Sequence, residues 1–280
     1  MASKINNRNH RATTATLRML ARAFGNSMGQ RVLEAVAKGF LFMMGVGAGA
    51  GVRTSGERGI LLKARHNVKS GELFVVFDVG ANRGDYITMA VETSQLQPIV
   101  LHAFEPSTIA FEGLLSRWGS RDDVVLNRLA LGNSRGSSLL YADAPGSTLA
   151  SLSKRDLRHI DLAMTYSEEV PIETLDSYCL ARQVQRIDLL KVDVEGHELE
   201  VFQGAEGLLK VGAVRMATFE FGGTSIDSRV YLRDFFYFFR DHGMELYRIA
   251  PSGYLAKIDR YTEFCEQFRA TNFVALNPNT

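Results

Sequence analysis

The residues with the most chemical content form one short stretch, Asp78-Val79-Gly80-Ala81-Asn82-Arg83-Gly84-Asp85, directly after the apolar run Leu73–Phe77. Gly80 and Gly84 carry no Cβ, so the backbone can turn sharply there and come close to a ligand. A helix opening after such a turn presents unpaired N–H groups. The spacing is not the GxGxxG of a dinucleotide loop, and the turn begins on a carboxylate, Asp78, which would repel a pyrophosphate. Glu105, in Ala103-Phe104-Glu105-Pro106, follows Gly84 by 21 residues. An acid at that distance is the usual partner of ribose hydroxyls. Glycine turn and acid together read as a nucleoside site without phosphates. S-adenosylmethionine, an adenosine with a sulfonium and an amino-acid tail, is such a ligand.

A second constellation lies at Ile187–Glu198, IDLLKVDVEGHE. Side chains alternate along a strand, so Lys191, Asp193 and Glu195 share one direction and Leu190, Val192 and Val194 the other. Gly196 permits a turn, and His197-Glu198 open a helix. A histidine there can take a proton from an acceptor hydroxyl near neutral pH. Glu220 ends a further strand, Thr218–Phe221. The expectation is that Asp78, Glu105, Asp193, Glu195 and Glu220 bring carboxylates from several strand tips to one cleft, where a sulfonium is electrostatically at home. Several oxygen ligands could also hold Mg²⁺, although nothing in the spacing fixes a metal site.

These residues require an open sheet. Leu73–Phe77, Ile99–Phe104, Val124–Leu126, Ile187–Val194 and Val214–Phe221 are short continuous apolar runs of the kind buried on both faces of a parallel sheet. Helical patterns fall between them at Tyr86–Gln95, Ile109–Trp118 and Leu199–Lys210. The alternation predicts an α/β fold. Tyr231–His242 reads as an amphipathic helix, and Leu246–Ile249 and Asn272–Leu276 as an antiparallel pair at the sheet edge.

The chain of 280 residues suits one large domain, or one with an appendage. Cys179 and Cys265 make no disulfide framework and no zinc pattern, which suggests a reducing, cytoplasmic setting. The formal net charge of +1 conceals an asymmetry. Residues 1–33 hold six basic residues and no acid, leaving the rest of the chain with five acids in excess. That excess argues against a nucleic-acid partner for the catalytic part. In the basic arm Leu17, Leu20, Phe24 and Met28 recur at helical spacing, with Arg11, Arg18 and Arg22 on another stripe. The arm reads as a docked helix, a contact for a membrane surface or partner, or a transit peptide. The apolar stretch Gly39–Val52 has 14 residues, too few to span a bilayer. Within it Gly45–Ala50 imitates a dinucleotide loop, GxGxxA, but a glycine-alternating run without a clear second strand reads as an apolar connector.

Phe77–Asp85 (FDVGANRGD), Ala103–Pro106 (AFEP), Asn127–Gly132 (NRLALG), Thr174–Tyr178 (TLDSY) and Ile187–Leu209 resemble the FkbM family of S-adenosylmethionine-dependent methyltransferases, over roughly residues 70–278. The resemblance implies the class I methyltransferase fold: a Rossmann-like sheet of seven strands with helices on both sides and the last strand antiparallel. It places an N-terminal helical and linker segment at 1–70 before a methyltransferase domain at 71–280. It implies that Asp78, Gly80, Asn82 and Gly84 line the methionine part of the cofactor, that Glu105 holds the ribose, that Ala130 offers backbone to the adenine, and that Asp193 stands beside the transfer centre. Arg83 is expected to point away from the sulfonium. Family members mostly methylate hydroxyls on sugars, glycans or polyketide-like natural products, so a small-molecule or glycan acceptor is expected. His197 or Glu195 would be the base and Asp193 would position the acceptor. The rival readings are a nucleic-acid or other N-methyltransferase of the same fold, a nicotinamide dehydrogenase, and a cofactor-binding module without chemistry.

Overall fold

The structure is a computed structural model, and it describes residues 17–49, 51, 55–94 and 97–279. Lys4, Arg8 and Arg11 of the basic arm, Ala50, Val52 and Arg53 of the glycine-rich stretch, and Gln95 lie outside the described residues. The chain divides into two compact units, residues 1–44 and 45–280. In the first, residues 17–23 are helical (α1) and Ser27–Met43 form α2. Asn26 caps α2, its Oδ1 accepting from the Gly29 amide at 2.8 Å.

The second unit opens with turns at Gly45 and Gly47 rather than with a strand. A Cβ on Gly45 would lie 2.2 Å from the Ile249 carbonyl oxygen, so the glycine-rich run is a close-packed connector and not a ligand loop. Helix α3 (Glu57–His66) follows, and its Ile60, Leu61 and Ala64 are buried in the core. Next come β1 (Phe74–Val79), α4 (Asp85–Thr93), β2 (Ile99–Phe104), α5 (Thr108–Trp118) and β3 (Val124–Asn127). Strands β4 (Ala130–Leu131), β5 (Gly136–Ala142) and β6 (Tyr166–Glu173) then form a separate sheet in the order β4-β6-β5. The chain returns through α6 (Leu175–Arg182) to β7 (Leu189–Val192), α7 (Glu198–Gln203), α8 (Glu206–Lys210) and β8 (Met216–Phe221). It ends with α9 (Thr224–Ser228), α10 (Leu232–Asp241), β9 (Glu245–Ile249), β10 (Leu255–Lys257) and β11 (Thr271–Leu276).

The main sheet has eight strands in the order β10-β9-β11-β8-β7-β1-β2-β3, one more than the seven expected. The extra strand is β10, which pairs antiparallel with β9 and makes the edge. The last strand, β11, is antiparallel to both neighbours, as expected, but it lies inside the sheet between β8 and β9. The helix expected over Leu199–Lys210 is broken at Gly204-Ala205. A Cβ on Gly204 would stand 2.0 Å from the Gly132 carbonyl oxygen, so α7 ends where the chain presses on the segment after β4.

Alternation along β1 sorts the core into two layers. Val75, Phe77 and Val79 meet Phe202, Phe235 and Phe239 on one face. Phe74 and Val76 meet Ile60, Leu61, Ile87 and Leu101 on the other. Helices thus cover both faces, which is why the central strands read as unbroken apolar runs. Of these strands β1 is the pivot. It pairs in parallel with β2 on one side and β7 on the other, and so brings the Gly80 turn, Glu105 and Asp193 to one end of the sheet.

Candidate active site

Asp78 and Lys191 are register partners on β1 and β7. Lys191 Nζ donates to Asp78 Oδ1 at 3.1 Å and lies 3.4 Å from Asp193 Oδ2. Asp78 is 0% exposed, whereas the Asp193 side chain is 44% exposed. The first acid therefore fixes the lysine and the second reaches the open cleft. Lys191 also lies over the Tyr86 ring, 5.2 Å from its centroid. Burial works against the lysine's charge, but Asp78, Asp193 and Glu57 outweigh it and hold the ammonium above its ordinary range.

A cavity of about 270 Å³ opens beside these residues at the carboxyl ends of the strands, where open α/β sheets place their ligands. Its walls come from Gly80–Arg83, from Glu105 and Pro106, from Leu129–Leu131, and from Lys191, Asp193, Glu195 and His197. A further wall is built from β5 of the second sheet and the loop that follows this strand: Leu140, Thr148, Ala150 and Leu152.

The expected residues distribute over this cavity unequally. Gly80, Asn82, Glu105, Ala130, Asp193, Glu195 and His197 line it, while Asp78, Gly84 and Glu220 do not. Strand alternation turns Asp78 toward the layer of α3 and α4, beneath the turn. Gly84 packs under the indole of Trp118, where a Cβ would meet Nε1 at 2.8 Å. Gly80 does border the cavity, but its φ of +85° and the 1.8 Å separation of a built Cβ from the Asp193 carbonyl oxygen show what excludes a side chain. Two strand-tip turns meet there, and only glycine fits between them. Glu220 joins Glu57 and Asp193 around a separate small hollow. Arg83 is exposed on the rim.

Glu105 is buried, and its two oxygens are held in place by backbone. Oε1 accepts from the Ser107 amide and Oε2 from the Asn82 amide, both at 2.9 Å. Each oxygen keeps a second lone pair for a further donor. Asn82 has a positive φ of 43°, its Nδ2 donates to the Ser147 carbonyl at 3.5 Å, and its buried Oδ1 has no hydrogen-bond partner.

The turn after β7 is built around Glu195, whose φ of 57° is left-handed. Glu198 steadies it, Oε1 accepting from the Val194 and Gly196 amides at 3.1 and 3.0 Å. Arg155 Nη1 donates to Glu195 Oε2 at 2.6 Å, and Ser151 Oγ donates to the Glu195 carbonyl at 2.8 Å. Arg155 also pairs with Asp227 at 3.5 Å. Arg155 and Leu140 also shape the site. Arg155 comes from the polar loop between β5 and β6 and meets partners remote in the chain, Leu140 comes from the short apolar part of β5, and no local pattern marks either for the site. His197 sits at the N-cap of α7, and its buried Nδ1 has no partner. Burial lowers its pKa, with Glu200 opposing, so the imidazole is neutral at pH 7. Glu195 is pushed up to about 7 by burial and by Asp193, against Arg155. Of the two candidate bases, Glu195 is tied through Oε2 to Arg155, whereas no side chain pairs with His197 Nδ1. Among the described residues no group of three or more His, Cys, Asp or Glu is placed to hold a metal ion.

Burial also raises Glu57, Glu105 and Glu198 to about 7 and Glu220 to about 8, from 4.5. Each binds its proton more tightly folded than unfolded, so the stability it contributes is complete below pH 4.5 and is lost as the pH climbs through its folded value. The melting temperature should fall between pH 4.5 and about 8, and Glu220→Gln should flatten the upper part of that fall. A melting temperature that rises across the window would contradict this assignment.

Among solved structures, the chain is similar to the methyltransferase FkbM of Methylobacillus flagellatus KT, with 14% identity, a TM-score of 0.46, and coverage of 75% of this chain and 45% of that one. It is also similar to precorrin-6y C5,15-methyltransferase of Geobacter metallireducens GS-15, with 14% identity, a TM-score of 0.39, and coverage of 79% and 87%. A third is the ribosomal protein L11 methylase of Lactobacillus delbrueckii subsp. bulgaricus, with 10% identity, a TM-score of 0.37, and coverage of 81% and 80%. The chain thus spans less than half the length of the first of these structures. No curated protein matches it in sequence. The sequence pattern of the methyltransferase FkbM domain matches residues 78–246, from the end of β1 into β9 and across more than half of the chain, and the chain belongs to that family.

Proposed function

We propose that this protein is an S-adenosylmethionine-dependent methyltransferase that methylates a hydroxyl of a small molecule or glycan, such as a sugar or a polyketide-like product. The observation that carries the reading is the pairing, across one cavity, of a backbone-held Glu105 with spare acceptor capacity and a neutral His197 with an unpartnered ring nitrogen. Bound S-adenosylmethionine supplies a methyl group on a sulfonium. Glu105 accepts the ribose hydroxyls with its remaining lone pairs. Asn82 Oδ1, buried and unpartnered, suits the amino group of the methionine tail. The apolar wall of Leu129, Leu131, Leu140 and Leu152 takes the adenine face beside Ala130.

The chain's own share of the reaction is alignment, exclusion of water and proton removal. Asp193, exposed to the cleft and steadied by Lys191, orients the acceptor hydroxyl. His197 would take up the proton that the acceptor hydroxyl gives up on methylation, at a ring nitrogen. The carboxylates of Asp193 and Glu195 line this end of the cavity and disfavour a phosphodiester backbone as acceptor. The buried Cys179 and the free Cys265 suit a reducing, cytoplasmic setting.

Purified protein incubated with methyl-labelled S-adenosylmethionine and a panel of sugars and hydroxylated natural products should transfer label to oxygen. Retention of labelled cofactor without transfer would mark a binding module, and transfer only to nitrogen or nucleic acid would overturn the acceptor class.

A further inference from the structure

Helix α2 gathers most of its apolar residues on one broad face, with Leu41 and Phe42 of its last turn falling outside it. At 100° per residue, Met28, Val32, Val36 and Phe40 run down the helix at every fourth position, flanked by Leu33 and Met43. Ser27, Gln30, Arg31, Glu34 and Lys38 occupy the opposite strip. The apolar face is open: Met28 is 77% exposed, Phe40 60% and Met43 63%. In α1, Leu17, Met19 and Leu20 are exposed as well, beside Arg18 and Arg22. Through residue 43 the sequence holds seven basic residues and the single acid Glu34.

We propose that α1 and α2 lie on an anionic membrane surface, with Met28, Val36, Phe40 and Met43 entering the headgroup boundary and Arg18, Arg22, Arg31 and Lys38 facing lipid phosphates. Charge complementarity selects this occupant. An apolar face backed by a strip that carries arginine and lysine is what an interfacial helix presents to anionic lipid. A second copy of the same helix would bring two like-charged arms together and is opposed by that repulsion. Crossing the bilayer is not the alternative, because among the described residues no helix is long and apolar enough to do so. The inference is independent of the acceptor and of the chemistry in the cleft.

Sedimentation of the full chain with phosphatidylcholine vesicles, with and without phosphatidylglycerol, tests it. Binding should rise about tenfold or more when the anionic lipid is present and should fall as salt is added. Val36→Asp with Phe40→Asp should cut binding about tenfold at all salt concentrations, and Arg22→Glu with Arg31→Glu should abolish the lipid preference. Melting curves accompany both pairs, and if one pair disturbs folding the other decides. Protein that stays in the supernatant with both vesicles, or binding indifferent to Val36 and Phe40, overturns the proposal. A dimer in light scattering that the aspartates dissolve, with no vesicle binding, replaces the membrane with a second copy.

Discussion

Lys191→Met should lower the stability of the folded chain by about 3–5 kcal/mol, read as a shift in the urea midpoint. The lysine is the one cation among Asp78, Asp193 and Glu57, and Asp78 is wholly buried. Without Lys191, Asp78 has no neutralising partner, its Oδ2 being already without a hydrogen bond. A buried carboxylate in that state costs far more than the lost pair contributes. The double variant Lys191→Met with Asp78→Asn should recover much of the loss, because the uncompensated charge is gone. If the single variant unfolds at the wild-type midpoint, the Asp78–Lys191 pair is not the electrostatic centre of the sheet end. If the double variant is no better than the single, the loss comes from packing against Tyr86 rather than from charge.

His197→Gln should lower turnover about 10²- to 10⁴-fold and leave the affinity for S-adenosylmethionine at its wild-type value. The wild-type rate should rise with pH through a limb that lies below the ordinary histidine value of 6.5, since burial favours the neutral ring. In the variant that limb should vanish. Glu195→Gln provides the contrast: it breaks the 2.6 Å pair with Arg155 and should reduce activity while leaving the limb in place. Unchanged turnover in His197→Gln, or a limb that survives it, removes His197 as the base.

What was legible in the sequence follows from where its signals are local. Buried parallel strands announce themselves as apolar runs, and β1, β2, β3, β7 and β8 were all visible on that basis. The second sheet was not. Strands β5 and β6 carry exposed Ser137, Glu169 and Pro171 among a few buried residues, so they read as polar loop. The expected cleft of five carboxylates shrinks to three, Glu105, Asp193 and Glu195. Residue type gave the acids their chemistry, but pleat parity gave them their direction, and it turned Asp78 inward. The same strand pairing explains Gly80, whose glycine requirement was read as room for a ligand and is room for the Asp193 backbone. Arg155 was illegible for a different reason. It meets Glu195 across 40 residues of chain and Asp227 across a third segment, and no spacing rule reaches that far.

The position of β1 has a consequence for how the chain acquires its shape. Its partner β2 arrives early, but its other partner, β7, lies far downstream: Lys191 meets Asp78, and the Val75 amide meets Asp188 Oδ2, across 113 residues. Closing so long a loop carries its entropy cost before any contact compensates it. The centre of the sheet must therefore wait for the second half of the chain, with β1 carrying an open edge in the meantime. On a ribosome, β7 cannot dock until it has cleared the exit tunnel. The cleft, which takes one wall from each half, then forms late in folding, and β1, apolar except for Asp78, is the segment most dependent on prompt completion or on a chaperone's cover.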